Sequence, residues 1–270
     1  AYISDSELVH QRSLLNKSVK YLFLRWYFSR IDWFLTVGDL NEAFYRFYGV
    51  RPGKMIRMHF PIDKNLYEQR YRERAELSVK ARIKYNIGQS DLVLSVVGKL
   101  VPWKRQGDII DALIELEVAG VNAHLLLVGS GSLREELEKK SASLSKAKVH
   151  FTGFVDPEEL PAIYAATDIY VHPAEKEPHS LAISEAIYMG CPIVLSDRCG
   201  SSGPGDDVQA LKNGYVYKCG HIADLSDKIL KLAKNIALRR AFGNCSHEIA
   251  VEFQKRAHGE FMSDLVLSLR

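Results

Sequence analysis

Four side chains at two points of the chain could do chemistry together: Lys99 and Lys104, and further on Glu177 and Glu185. Glu177 stands in a polar loop broken by Pro173 and Pro178, and the proline disfavours helix at the residue before it. Ser180 then offers an N-cap, which places Glu185 in the second turn of the helix that follows. The amides opening a helix have no partner inside it, and together with the helix dipole they favour an anion, above all a phosphate. Amides for phosphate and a carboxylate on each side for hydroxyl groups suit a phosphorylated, polyhydroxylated ligand. An ordinary strand–loop–helix connection with two solvated glutamates has the same local pattern, so the surrounding elements must decide.

From Leu92 onward, apolar runs of strand length recur at Leu92–Val97, His124–Val128, Val149–Thr152, Asp168–His172, Pro192–Leu195 and Tyr215–Tyr217. Between them lie helical patterns: Ile109, Leu113 and Leu116 in one, Ile222, Leu225, Ile229 and Leu232 in another. Ser132-Leu133-Arg134-Glu135 reads as a capping box, and Asp156-Pro157 as a cap with proline at the first helical position. Buried strands alternating with helices predict an α/β fold with a doubly wound, Rossmann-like parallel sheet of order 3-2-1-4-5-6. Ligands bind such a sheet at the carboxyl ends of its strands, beside the first and fourth. The loop after the first strand carries Gly98, Lys99 and Lys104; the loop after the fourth carries Glu177, His179, Ser180 and Leu181. Two ammonium groups facing a helix start would make a diphosphate site.

Two further loops contribute weaker signals. Gly129-Ser130-Gly131 follows the second strand as a tight turn, and it fails as a dinucleotide fingerprint because Arg134 stands where the third glycine belongs. After the third strand, Gly153-Phe154-Val155 would offer backbone groups and an aromatic edge to a nucleobase.

Upstream, Ser4 to Arg30 reads as one long helix, basic and aromatic. Its region 10–30 suits either peripheral membrane contact or the surface of a domain. A strand at Trp33–Val37, a short helix to Tyr48, a strand at Met55–His59 and a charged helix over 65–85 follow. Pro61-Ile62-Asp63 marks a boundary. The expected domains are 1–62, 63–250 and a terminal segment 251–270 packing back on the first.

Composition narrows the function classes. Hydrophobic residues make up 47% of the 270, which is a folded composition. No apolar run reaches the roughly 18 residues of a membrane span. The four cysteines lack ligand-like spacing, which fits a cytoplasmic location and gives no structural metal. Residues 1–90 hold 16 Lys/Arg against 9 Asp/Glu, and the remainder 20 against 24. This basic first third suits an anionic partner, but no nucleic-acid-binding motif accompanies it.

In sum the motifs Gly98-Lys99-Leu100-(x3)-Lys104, Val128-Gly129-Ser130-Gly131, Phe151-Thr152-Gly153-Phe154-Val155, Glu177-(x7)-Glu185-Ala186, Gly190-Cys191-Pro192 and Asn213-Gly214 resemble the donor-binding half of family 4 glycosyltransferases of the GT-B type. Asp32–Gly38, Tyr48-Gly49-Val50 and Pro61-Ile62-Asp63 resemble the closing part of that family's N-terminal domain. The resemblance implies a retaining, metal-independent transferase of hexosyl type, without a cofactor, moving a sugar from a nucleotide diphosphate donor to a saccharide, lipid-linked or small-molecule acceptor. It gives Lys99 and Lys104 the leaving diphosphate and Glu177 the donor sugar. The amides around His179, Ser180 and Leu181 take phosphate, and Glu185 the ribose hydroxyls. The chain departs from the pattern at Lys99, where many members have arginine, and at His179-Ser180, where an aromatic residue and glycine are commoner. Family members also carry a further N-terminal stretch, so this chain is expected to be partial and slow in transfer alone. A nucleotide-sugar epimerase and a non-catalytic nucleotide-sugar-binding module with a partner chain are the competing expectations. The expected location is cytoplasmic, with peripheral contact at the inner membrane face as the further option.

Overall fold

The computed structural model describes residues 1–8 and 17–257, with residues 263 and 267. Two parallel sheets organise it. The smaller has the order β1 (Tyr2–Ile3), β2 (Phe34–Thr36), β3 (Met55–Arg57). The larger contains β4 (Leu92–Val97), β5 (Ala123–Val128), β6 (Lys148–Gly153), β7 (Ile169–His172), β8 (Ile193–Ser196) and β9 (Gly214–Tyr217), in the order β6-β5-β4-β7-β8-β9. Every pairing in it is parallel. Counted within that sheet, this is the 3-2-1-4-5-6 arrangement expected from the apolar runs.

Side-chain alternation divides the large sheet between two helical layers. Leu94, Val96, Leu125 and Leu127 point to α5 (Gly107–Val118) and α9 (Ile222–Ala233), where Ile109, Leu113, Leu116, Leu225 and Ile229 are fully buried. The opposite face carries Tyr170, Ile193 and Leu195 against α7 (Leu160–Ala166) and α8 (Leu181–Tyr188). Each such Leu or Ile contributes about 1.5–3 kcal/mol by burial. The small sheet is held by aromatic rings. Phe28 of α1 (Lys17–Ser29) meets Phe34 edge-on at 5.3 Å, and Phe44 and Tyr45 of α2 (Asp39–Phe47) complete the cluster.

Several local expectations are corrected. Ser4 starts no helix: Tyr2–Ile3 pair with Phe34–Leu35, and Asn41 Nδ2 holds the extended segment by donating to the carbonyls of Ser4 and Ser6 at 2.9 and 2.7 Å. Tertiary pairing overrides local helix preference there, while residues 9–16 of the expected helix lie outside the described residues. The helix over 65–85 is two, α3 (Lys64–Arg72) and α4 (Arg74–Lys84). The break at Glu73 lets Tyr71 stack on His247 while α4 lies along α7. Ser132 caps nothing, because the turn into α6 (Arg134–Ser141) is set by Leu133 N–H donating to the Leu100 carbonyl. Asp156 closes a turn through its carbonyl, and α7 begins only at Leu160.

Helix α10 (Ile236–Gln254) ends against the segment joining the two sheets. Gln254 accepts from Ile62 N–H and donates to the Phe60 carbonyl, both at 3.3 Å, while Phe253 stacks on His59. The terminal segment expected beyond it lies mostly outside the described residues.

Candidate functional site

Five loops converge at the carboxyl edge of the large sheet, and backbone contacts join the first three. Gly98 N–H donates to the Val128 carbonyl, Leu100 N–H to that of Ser130, and Gly129 N–H to that of Gly153, at 2.8–3.0 Å. Glycine is required at this seam. A β carbon at residue 129, whose φ is +130°, would stand 2.0 Å from the Gly98 carbonyl oxygen, and one at residue 131 would stand 2.3 Å from that of Leu100. Thus Gly98, Gly129, Ser130 and Gly131 come together.

The loop after β4 also meets the loop after β7. Glu175 N–H donates to the Trp103 carbonyl at 2.8 Å. Beside this bond Lys104 Nζ forms an ion pair with Glu177 Oε2, both side chains partly buried. Lys104 stands close to Gly98, and burial lowers its ammonium below the ordinary lysine value. On the far side of Glu177 lies His172 Nε2, 3.3 Å from the same carboxylate oxygen. Burial, aided by Lys104, pushes His172 down to about 3, so this imidazole is neutral at pH 7. Lys99 behaves differently: its backbone carbonyl accepts from Gln106, and the residue is exposed with no ion pair among the described residues.

The start of α8 is arranged more specifically than its sequence shows. Ser180 occupies the N-cap position, but its hydroxyl makes no cap bond. Its own N–H donates to Ser201 Oγ at 3.1 Å, leaving the amides of Leu181 and Ala182 as the helix-opening donors. The His179 ring turns inward, 3.3 Å from Asp207 Oδ2, so residue 179 can offer a ligand only its backbone. Asp207 also accepts from Ser184 Oγ at 2.8 Å. One buried acid therefore fixes both the loop and the first turn of α8. Glu185 accepts from Tyr164 at 2.8 Å, and burial raises its pKa, with the Tyr164 bond opposing. At the end of β6 the Phe154 ring is 77% exposed, available to stack on a planar group, whereas Val155 packs with Ile163.

An anion-ready helix start, a partly buried lysine and a carboxylate beyond them make an arrangement that can hold a phosphorylated ligand. Comparison with known proteins gives the family. The model for the family described as "Glycosyl transferases group 1" matches residues 79–248, well over half of the chain. The chain belongs to the group 1 glycosyltransferases. A sulfoquinovosyl transferase of Arabidopsis thaliana is 26% identical over 200 residues, covering 73% of this chain and 36% of that protein. The chain spans about half or less of the length of the curated relatives it matches. Sucrose-phosphate synthase from Thermosynechococcus elongatus has a similar structure, with TM-score 0.76 and 20% identity over 99% of this chain and 67% of that one. So does Anabaena Alr3699/HepE, solved in complex with UDP and glucose, with TM-score 0.71 and 20% identity over 97% and 70% of the two chains. These likenesses show the GT-B fold.

This group 1 glycosyltransferase also has a layer that sequence reasoning missed, where the two sheets face each other. Arg57 of β3 binds Glu42 at 2.8 Å, Asp39 at 2.5 Å and, across the gap, Asp206 at 3.3 Å and the Gly205 carbonyl at 3.0 Å. The Asp39 N–H donates to Asp206 at 2.9 Å and the Asp39 carboxylate accepts from Gly205 N–H at 2.8 Å. Glu7 reaches the Gly200 backbone from the other side. Burial pushes Asp206 up to about 7 and Glu7 to about 8, and lowers His59 to about 4. The signal for this layer was the glycine-rich run Gly200-Ser201-Ser202-Gly203-Pro204-Gly205 ahead of two aspartates, between the fifth and sixth strands of the large sheet. Among the described residues no helix is long and apolar enough to cross a membrane.

Proposed function

We propose that the chain transfers a hexosyl group from a nucleotide diphosphate sugar to a saccharide, lipid-linked or small-molecule acceptor, with retention and without a divalent ion. The observation that carries this reading is the meeting of Lys104 and Glu177 between the loops after β4 and β7, the second of which leads into the helix opened by the amides of Leu181 and Ala182. Breaking the anomeric bond develops negative charge on the β-phosphate. A fixed ammonium and two oriented amides in a partly buried site stabilise that charge more in the transition state than in the ground state. Lys104 then supplies the positive charge that a metal would otherwise bring.

In this arrangement the donor displaces Lys104 from Glu177. The phosphate takes the ammonium and the sugar hydroxyls take the carboxylate. Glu185, set deeper and held by Tyr164, takes the ribose hydroxyls, while Phe154 covers the base. Lys99, exposed at the mouth, adds long-range attraction for the dianion. Contact between the basic segment 10–30 and a membrane surface would bring the chain to a lipid-linked acceptor.

Calorimetric titration with UDP, GDP and ADP, paired with thermal melts, tests the reading. A ligand at about 100 times its Kd adds about 2.7 kcal/mol of apparent stability. One nucleotide diphosphate should bind well above the others, and failure of all three to bind ends the proposal. Product analysis then separates transfer from epimerisation: sugar joined to an acceptor with its anomeric configuration kept, or an epimer formed without acceptor.

A further inference from the structure

Two helices carry arginine near the end where the helix dipole favours an acid. Arg74 is the first residue of α4. Helix α10 has no acid in its first turn, and Arg239 and Arg240 stand close to its start. The two starts meet at the amino edge of the large sheet, against the beginnings of β7 and β8, and enclose a cavity of about 400 Å³. This is the edge opposite the loops that hold Lys104 and Glu177. The wall of the cavity is fixed by the packing of α10 on the turn after α8. Ser246 Oγ donates to the Cys191 carbonyl at 2.7 Å, and a β carbon at residue 243 would stand 2.6 Å from the Gly190 carbonyl oxygen.

Four guanidinium groups and two carboxylates line the cavity. Arg82, only 6% exposed, is used by the fold. It donates to the carbonyls of Gly88 and Asp91 at 2.9 Å, to that of Ala166 at 3.1 Å and to Asp168 Oδ2 at 2.9 Å. Arg239 lies 3.6 Å from the other oxygen of Asp168 and donates to the Leu232 and Ala233 carbonyls at 3.0 and 3.1 Å. The Asp91 carboxylate accepts from Gly88 N–H at 2.8 Å and lies 3.3 Å from His124 Nε2. Both acids are therefore engaged elsewhere, and among the described residues Arg74 and Arg240 form no ion pair. Arg74 donates to the Gly190 carbonyl at 3.4 Å, and its Nε is buried with no acceptor. Arg240 is exposed. A buried donor without an acceptor is destabilising, and a ligand oxygen would relieve it.

We infer that this cavity binds a phosphate monoester of a small hydroxylated molecule. Two guanidinium groups without acids, beside two helix starts, favour a dianion. Gln89, Ser90 and Asn244, all exposed at the rim, offer neutral partners for hydroxyl groups. Among the described residues no aromatic ring lines the cavity, so a nucleobase finds no platform to stack on. The donor cleft lies at the other ends of the same strands, so both places can be filled at once. The site is independent of the transfer chemistry.

Calorimetric titration of the 270-residue chain with glucose 6-phosphate, inorganic phosphate and glucose tests the assignment. Glucose 6-phosphate should bind roughly tenfold tighter than inorganic phosphate, and glucose should not bind. The double variant Arg74→Gln, Arg240→Gln should weaken the ester by roughly tenfold or more with the melting temperature unchanged, while Lys104→Ala should bind it as the wild type does. If the double variant melts lower, Arg240→Gln alone, on an exposed side chain, should still weaken the ester. No binding of the ester, or equal binding by wild type and both arginine variants, overturns the assignment. So does loss of binding in Lys104→Ala, which would put the ester in the donor cleft. Equal affinity for inorganic phosphate would replace the ester with a free-phosphate site.

Discussion

Lys104 and Glu177 lie 73 residues apart and neutralise one another in the cleft between the first and fourth strands of the large sheet. On the proposed function, the phosphate and the sugar of a donor compete for the two. Removing the lysine therefore has two effects. Lys104→Ala should lower nucleotide diphosphate affinity by about 1.5–3 kcal/mol, and should also lower the melting temperature because a partly buried carboxylate loses its partner. Adding Glu177→Gln should restore the melting temperature and leave the affinity low. Calorimetry and thermal melts on the single and double variants read both; unchanged affinity in Lys104→Ala removes the lysine from the site.

Glu185 is held in place by the Tyr164 hydroxyl, and the proposed function gives it the ribose. Wild-type chain should prefer ribonucleotide diphosphates to their deoxy counterparts, and Glu185→Ala should erase the difference. Tyr164→Phe should weaken the preference without abolishing it, since the acid remains but loses the bond that orients it. Paired titrations with UDP and its 2′-deoxy analogue measure this, and equal wild-type affinities for the two would count against the role.

At Gly129 the seam with Gly98 has no room for a side chain. Gly129→Ala adds a methyl group 2.0 Å from a backbone oxygen at a φ of +130°. A loss of roughly 3 kcal/mol or more is expected, because neither the loop after β4 nor that after β5 can yield alone. Urea denaturation of the variant checks it, and a wild-type midpoint would show that the loops are separable.

Stability should fall as the pH rises from about 6.5 to 8. Asp206 and Glu7 have folded pKa values raised to about 7 and about 8, so their contributions are complete only below the unfolded carboxyl values and are lost as pH rises through the folded ones. His179, raised by Asp207, acts in the same direction above its unfolded value. His59 and His172, lowered to about 4 and about 3, act oppositely, but only below about 6.5, where the unfolded imidazoles take up protons. Asp206→Asn should flatten the decline between pH 6.5 and 8, as melting curves across that range would show; an unchanged slope would mean that Asp206 is ionised throughout.

The six strands of the large sheet were legible because each is a continuous apolar run, and their order followed from the handedness and layering of parallel sheets. That order alone brings Lys104 to Glu177, two residues with no local relation. What was illegible depended on neighbours from elsewhere in the chain. Ser132 has the chemistry of a cap, but Leu133 is captured by the Leu100 carbonyl. Ser180 has it too, yet its amide, not its hydroxyl, makes the bond, and the acceptor is Ser201. Asp206 and Asp207 have the local pattern of a solvated turn, two acids after a glycine-rich loop. Only the packing of Arg57 and His179 against them shows that they are buried.

The glycine seam also sets where donor preference can change. With Gly129 and Gly131 pressed against the carbonyls of Gly98 and Leu100, this stretch of the cleft has no room for a side chain, and sequence drift there meets a steric wall. A redesign aimed at a different sugar or base would have to work at the rim, at positions such as Phe154 and Glu175, whose side chains reach solvent.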